Sequence, residues 1–148
     1  MTTFVFTENV TDQEVISAAL GTSTSTKLND KDVGKPVKLA SANNYVVCST
    51  GDQIEGFVSS ISPETVNGGF SFGGVATEGR FTAKLDAAQV GTVAVGALVV
   101  AGVSSALGTV DTYPLVKTGS PATFFWRVIR IVSGTGVAGD LVLIERVN

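Results

Sequence analysis

The chain has 148 residues and a mass of 15.2 kDa, a length that fits one domain better than two. It contains a single cysteine, Cys48, and no histidine, which excludes an intramolecular disulfide and every catalytic or metal site built on imidazole. The formal net charge is −3, the wrong sign for a surface that neutralises phosphates, so nucleic acid is not expected as a partner.

Ionic side chains are scarce. Asp, Glu, Lys and Arg make up 16% of the residues, compared with about 25% in typical soluble domains. Mean hydropathy is +0.35. Because a lone soluble domain needs a charged surface without large apolar patches, we expect part of the exterior to be covered by another copy or by another protein.

The N-terminal part of the chain differs from the rest, and we predict an arm over residues 1–34 followed by a β domain over residues 35–148. Thr11 and Glu14 have the spacing of a capping box, and Gly21 supplies a stop signal. The pattern predicts one short helix over about residues 12–20. Its apolar residues are Val15, Ile16, Ala19 and Leu20.

From residue 35 onward, short apolar segments alternate with glycine-rich or polar breaks, which is typical of β structure. Eight strands are predicted, at residues 36–40, 44–49, 54–61, 70–77, 80–86, 97–101, 124–133 and 140–147. Strands of this length and spacing predict a compact antiparallel β-barrel or sandwich. The predicted fold class is therefore all-β, with the arm carrying the single helix.

The longest uncharged stretch, residues 87–110, is not expected to cross a membrane. Its densest apolar part is interrupted by glycines and is shorter than the roughly 20 apolar residues that a span requires. We expect two short buried strands instead, divided at residues 95–97. No secretory signal is visible at the N-terminus, so the mature protein is expected to begin near Met1.

Two of the predicted strands, 124–133 and 140–147, have apolar residues on both faces. Such strands are unusual in a small antiparallel barrel unless the outer face meets the arm or a partner. We expect these outer faces to support self-association, through Phe125, Ile129, Val142 and Ile144. The alternative is a central pair of strands that the molecule's own loops cover.

Two glycine-containing segments imitate functional loops. Residues 134–139 match the G-x-G-x-x-G pattern of dinucleotide sites, but too few residues follow for the required helix, so we predict a glycine-rich hairpin loop. Residues 30–34 resemble the opening of a calcium loop without its later glycine and glutamate, and predict a solvated charged turn. We expect no catalytic residue, no metal ligand, no cofactor and no enzymatic activity.

Several segments share a pattern with one group of viral proteins. They are Leu28–Leu39, Gly51–Val58, Phe72–Gly74, Val93–Gly96, Trp126–Ile129 and Val142–Val147. Together they resemble the small capsid decoration, or cement, proteins of tailed bacteriophages. The resemblance implies a β-rich protein that binds the outer surface of a shell of major capsid protein, as a homo-oligomer with a trimer favoured over a dimer, and stiffens that shell. It also implies a location on the virion, after assembly in the host cytoplasm.

Two groups of residues are candidates for contact with the shell. Phe4, Val5 and Phe6 form an apolar cluster that is suited to adding as a strand to a neighbour's sheet edge. Val15, Ile16 and Leu20 on the predicted helix form the second group. For both groups, the alternative is packing within the same molecule.

Two other functions are compatible with an all-β chain that lacks catalytic patterns. The first is a different position in the virion, as a head-fibre or tail-tube component. The second is a carbohydrate-binding module, for which Tyr45, Tyr113 and Trp126 are the candidate stacking platforms.

Overall fold

The computed structural model describes residues 15–21, 27–40, 44–62 and 71–147, and it confirms the all-β class. The described residues form ten strands and one short 3-10 helix, Asp30–Asp32. The strands are β1 (Val15–Ala19), β2 (Pro36–Leu39), β3 (Tyr45–Val47), β4 (Gly56–Ile61), β5 (Phe72–Ala76), β6 (Arg80–Leu85), β7 (Leu98–Ala101), β8 (Leu115–Thr118), β9 (Phe125–Ile131) and β10 (Leu141–Val147).

Each of the eight predicted strands is present, within two residues of its expected bounds. The predicted helix is wrong over its described part, because residues 15–19 form β1 instead. Two turns of helix are marginal without packing, whereas an extended chain gains a full ladder with β5 and suits the β-branched residues Val15 and Ile16. The first of the two strands expected in residues 87–110 does not form, and Val90 is 88% exposed there.

Five strands form an antiparallel sheet in the order β1-β5-β4-β2-β3. A parallel bridge between Leu20 and Tyr45 brings the two ends of this sheet toward each other. The inner face encloses a small core that comprises Ala18, Leu20, Leu28, Val37, Val58 and Val75. The predicted division of the chain at residue 34 remains a prediction, but Leu20 and Leu28 already contribute to this core.

The other five strands form a closed barrel in the order β10-β6-β8-β7-β9. All neighbours are antiparallel except β6 and β8, whose parallel pairing covers two residue pairs. Phe57 of the sheet enters the barrel core, where its ring lies 4.7 Å from Phe81 and 5.0 Å from Trp126 between centroids. The indole N–H of Trp126 donates to the Ile54 carbonyl at 3.0 Å. These contacts join the sheet to the barrel.

A β-bulge explains why the segment around β9 looks apolar on both faces. Ile144 lies opposite Val128 and Leu143 lies opposite Arg130, so Ile129 is an extra residue with no partner on β10. Before the bulge Trp126 and Val128 face the barrel core, and after it Ile131 does. The strand therefore has a single inward face, which is formed by even-numbered residues before the bulge and by an odd-numbered residue after it.

The turn at residues 30–34 is held by a buried ion pair, so the expectation of a solvated charged turn is wrong for Asp32. The Lys35 ammonium lies 2.6 Å from the Asp32 carboxylate, and both side chains are fully buried. Asp32 also accepts backbone hydrogen bonds from Asn29 and Gly108, while Lys35 donates to the Ala106 carbonyl. The pair thus ties this turn to the loop between β7 and β8.

Replacing Lys35 with methionine should be strongly destabilising, because it leaves the Asp32 carboxylate buried without its counter-ion. We expect a loss of ~3–5 kcal/mol in the free energy of unfolding. The matched control is Lys38→Met, since Lys38 and Asp52 are also 2.6 Å apart but remain partly exposed, with side chains 37% and 27% accessible, and about 1 kcal/mol or less is expected there. Urea unfolding, followed by Trp126 fluorescence, measures the free energy of unfolding of both variants. Equal losses in the two variants would contradict the conclusion that burial makes the Asp32–Lys35 pair critical.

Candidate interaction surfaces

The first candidate surface is the outer edge of β1, which we call the β1 edge. Among the described residues, β1 pairs with a strand on one side only, that of β5. Val15 is 49% exposed and Ile16 is 36% exposed, and Phe72 on the neighbouring strand is 41% exposed. An edge strand with exposed apolar side chains is a template for pairing with another chain.

Two hydrogen bonds show which backbone groups of β1 face the open side. The Leu20 N–H donates to Ser71 at 3.1 Å, on the β5 side, whereas the next N–H, that of Gly21, donates to Tyr45 at 2.7 Å, on the other side. Backbone groups alternate between the two sides of an antiparallel strand. Val15, Ser17 and Ala19 therefore direct their N–H and C=O groups toward the side opposite β5. Tyr45 occupies that side at Gly21, and no strand of the described residues pairs with it beside residues 15–19.

The structure separates the residues that were predicted to bind a partner. Val15 and Ile16 are exposed at the β1 edge, although on a strand and not on a helix. Leu20 is 1% exposed in the core of the sheet, so it is not available to a partner, and its assignment to the contact surface is corrected. The cluster Phe4, Val5 and Phe6 lies outside the described residues.

The residues proposed for self-association do not share one face. Val142 and Ile144 are fully buried in the barrel core, because the even positions of β10 point inward. Phe125 and Ile129 on β9 are half-buried. The outward residues of β10 are the alternate ones, Leu141 and Leu143. The prediction that Val142 and Ile144 form the outer face of this strand is therefore wrong. Self-association itself remains a prediction.

The second candidate surface, which we call the basic face, is the outer side of the three neighbouring strands β9, β10 and β6. Its residues are Arg127 and Arg130 on β9, Leu141, Leu143 and Glu145 on β10, and Arg80, Thr82 and Lys84 on β6. In one cross-strand row Glu145 lies between two arginines, 2.8 Å from Arg80 and 3.7 Å from Arg127. In the next rows, Leu143 lies between Arg130 and Thr82, and Leu141 pairs with Lys84. Sequence reasoning missed this surface.

Two open grooves border the basic face at Lys84. One has a volume of about 510 Å³ and includes Asp111, and the other has a volume of about 750 Å³ and includes Asp86. Both carboxylates accept backbone N–H groups: Asp111 from Ser105 in its own loop, and Asp86 from Ala88 in its own loop and from Val103 in the loop between β7 and β8. These acids therefore hold the groove walls in place.

The loop that matches G-x-G-x-x-G connects the antiparallel strands β9 and β10, as predicted for a hairpin. The Asp140 carboxylate accepts the N–H groups of Thr135, Gly136 and Val137 at 2.8–3.0 Å. These hydrogen bonds lower the pKa of Asp140 below its ordinary value, with Val137 contributing most. The chain's own carboxylate thus occupies the place that an external anion would take.

Other candidate groups are enclosed by the fold. Burial raises the pKa of the Cys48 thiol to about 12, which keeps it protonated. Trp126 is fully buried, so it cannot stack on a sugar, while Tyr45 and Tyr113 are half-buried. Within the described ranges, no cluster of three or more Cys, Asp or Glu side chains is placed to hold a metal ion. The expectations of no cofactor and no catalytic residue remain predictions.

No helix within the described parts of the chain has the length and apolar character needed to span a membrane.

Comparison with known proteins yields no further assignment. No family model, no curated protein and no solved structure matches this chain. The two surfaces above are therefore assigned from geometry alone.

Replacing Asp140 with asparagine should lower the melting temperature at neutral pH, because it removes the charge that the three N–H groups favour. A carboxyl whose pKa is depressed on folding stabilises the fold above its unfolded pKa of about 3.9, and this contribution is lost as the pH falls through the folded value. The difference in melting temperature between the wild type and Asp140→Asn should therefore become smaller below about pH 4. Thermal melts at a series of pH values measure this difference, and the control is Asp30→Asn, which changes an exposed carboxylate. A difference in melting temperature that stays constant with pH would contradict the stabilising role of the Asp140 charge.

Proposed function

We propose that this protein is a structural component of a tailed-bacteriophage virion, which binds the outer surface of the major capsid protein shell and stabilises it. The support from the sequence is the resemblance to decoration proteins over residues 28–148. The observation that carries the proposal is the β1 edge, where the strand presents exposed apolar side chains and backbone groups that no other strand of the described residues pairs with.

The proposed mechanism is strand addition. A strand of the shell protein pairs with the open side of β1, so that backbone hydrogen bonds supply affinity while Val15 and Ile16 contact its side chains. Decoration places many copies on one shell, and many weak contacts then act together. Such binding holds neighbouring shell subunits together without any chemical turnover.

Low charge favours an attached state over a solitary one. With 16% charged residues, the chain leaves large apolar side chains exposed, among them Val90 at 88% and Val95 at 64%. We propose that contact with the shell, and with further copies as a dimer or trimer, covers part of this surface. The corresponding location is the outside of the virion.

The test uses shells assembled from the major capsid protein of the same virus. Wild-type protein should co-sediment with them. Ser17→Pro should weaken binding by about tenfold, because it removes one N–H from the open side of β1, and a backbone hydrogen bond is worth ~0.5–1.5 kcal/mol. The fold should persist, since proline is tolerated on an edge strand when its nitrogen faces outward.

Ser17→Thr is the matched control, because it keeps the N–H and changes the side chain by one methyl group. It should bind as the wild type does. If wild-type protein stays in the supernatant, the proposed function is wrong. If Ser17→Pro and Ser17→Thr bind equally well, the shell is bound elsewhere on the molecule and the role of the β1 edge is wrong.

A further inference from the structure

We propose that the basic face is a second docking surface, which binds an acidic protein surface with an apolar centre. The inference rests on the proposed function, under which this surface belongs to the capsid shell. A molecule that engages the shell through both the β1 edge and the basic face would make two separate contacts, one through the sheet and one through the barrel.

The first argument is the uneven distribution of charge. Four cations and one carboxylate give the basic face a formal charge of +3, and since the whole chain carries −3, the rest of the chain carries −6. Glu145 is shared by Arg80 and Arg127. Among the described residues, no carboxylate lies within 4.0 Å of the exposed cations Arg130 and Lys84. These two charges are therefore available to carboxylates of a partner.

The second argument is the apolar centre of the face. Leu141 and Leu143 point outward from the central strand β10, between the cations of β6 and β9, and both are only half-buried. Protein interfaces combine an apolar centre with a polar rim, and arginine is enriched in them. The groove of about 510 Å³ that includes Leu141 and Lys84 continues this surface and offers room for a side chain of the partner.

The charge pattern also argues against two other occupants. An identical face of a second copy would bring +3 against +3, and like charges in contact disfavour association. A nucleic acid would match the cations, but its phosphates would leave the leucines of the central strand without apolar partners, and the remaining −6 of the molecule would repel it. An acidic protein surface satisfies both the cations and the leucines.

The test compares single charge reversals in the shell co-sedimentation assay. Arg130→Glu should weaken binding at least about tenfold, because it places a carboxylate against the acidic partner. Lys31→Glu is the matched control, since Lys31 is exposed, lies outside the basic face and changes the net charge equally. It should change binding less than about twofold. Leu143→Ser should also weaken binding, and urea unfolding should show that all three variants remain folded.

Salt provides an independent readout. Wild-type binding should weaken as ionic strength rises, because the screening length falls from about 10 Å at 0.1 M to about 3 Å at 1 M. The Arg130→Glu variant should show a smaller salt dependence, whereas Lys31→Glu should follow the wild type.

The outcomes separate the inference from the function on which it rests. If the wild type binds shells and Arg130→Glu binds them as well as Lys31→Glu does, the basic face is not a docking surface and the proposed function stands. If the wild type does not bind, both fail. If wild-type protein binds a short DNA duplex and Arg130→Glu does not, the occupant is nucleic acid, and if Arg130→Glu dissociates an oligomer in sedimentation equilibrium, it is a second copy. Either result would overturn the inference.

Discussion

The structure depends on one strand that serves two cores. Adjacent residues of β4 point to opposite faces, so Phe57 packs with Phe81 and Trp126 in the barrel while Val58 packs with Val75 in the sheet. Burial of such aromatic and aliphatic side chains is the dominant stabilising contribution in a domain of this size. Because β4 contributes side chains to both cores, the sheet that carries the β1 edge is packed against the barrel that carries the basic face.

This arrangement would allow the proposed attachment to transmit force between the two surfaces of the molecule. Close-packed interiors have low compressibility, so a load applied at one surface reaches the other without much local yielding. The buried pair Asp32–Lys35 adds a second tie, since it links the turn before β2 to the loop between β7 and β8. A clamp between neighbouring subunits requires this kind of rigidity, and it requires no catalytic group.

The sequence predicts those parts of the fold that have a local signal. Alternation along residues 80–85 and glycine-rich breaks located eight strands, because side-chain period and turn chemistry act within a few residues. β1 was assigned to a helix because its capping pattern is local while its pairing with β5 is not. β8 was missed for a related reason: its four residues owe their conformation to distant partners on β6 and β7.

The candidate surfaces were only partly predictable. Val15 and Ile16 were selected as exposed apolar residues, and they are exposed, but on a strand. Leu20 has the same chemical character, and it is buried because it packs into the core of the sheet against residues distant in sequence, such as Val58 and Val75. Asp32 looked like a surface charge, since nothing nearby in sequence shows that a loop 76 residues later contacts it.

Arg127 and Arg130 would point to opposite faces of a regular strand, and Ile129 brings them to the same one. The surface chemistry of the barrel is therefore governed by the register in which β9 pairs with β10 as much as by the identity of its residues. If β9 instead paired with β10 without the bulge, the part of the strand after Val128 would be rotated by half a turn, so that the Arg130 guanidinium would enter the hydrocarbon interior and Ile131 would be turned out to water. The single unpaired residue therefore keeps both arginines outside and Ile131 inside, and it is the pairing around Ile129 that preserves this arrangement.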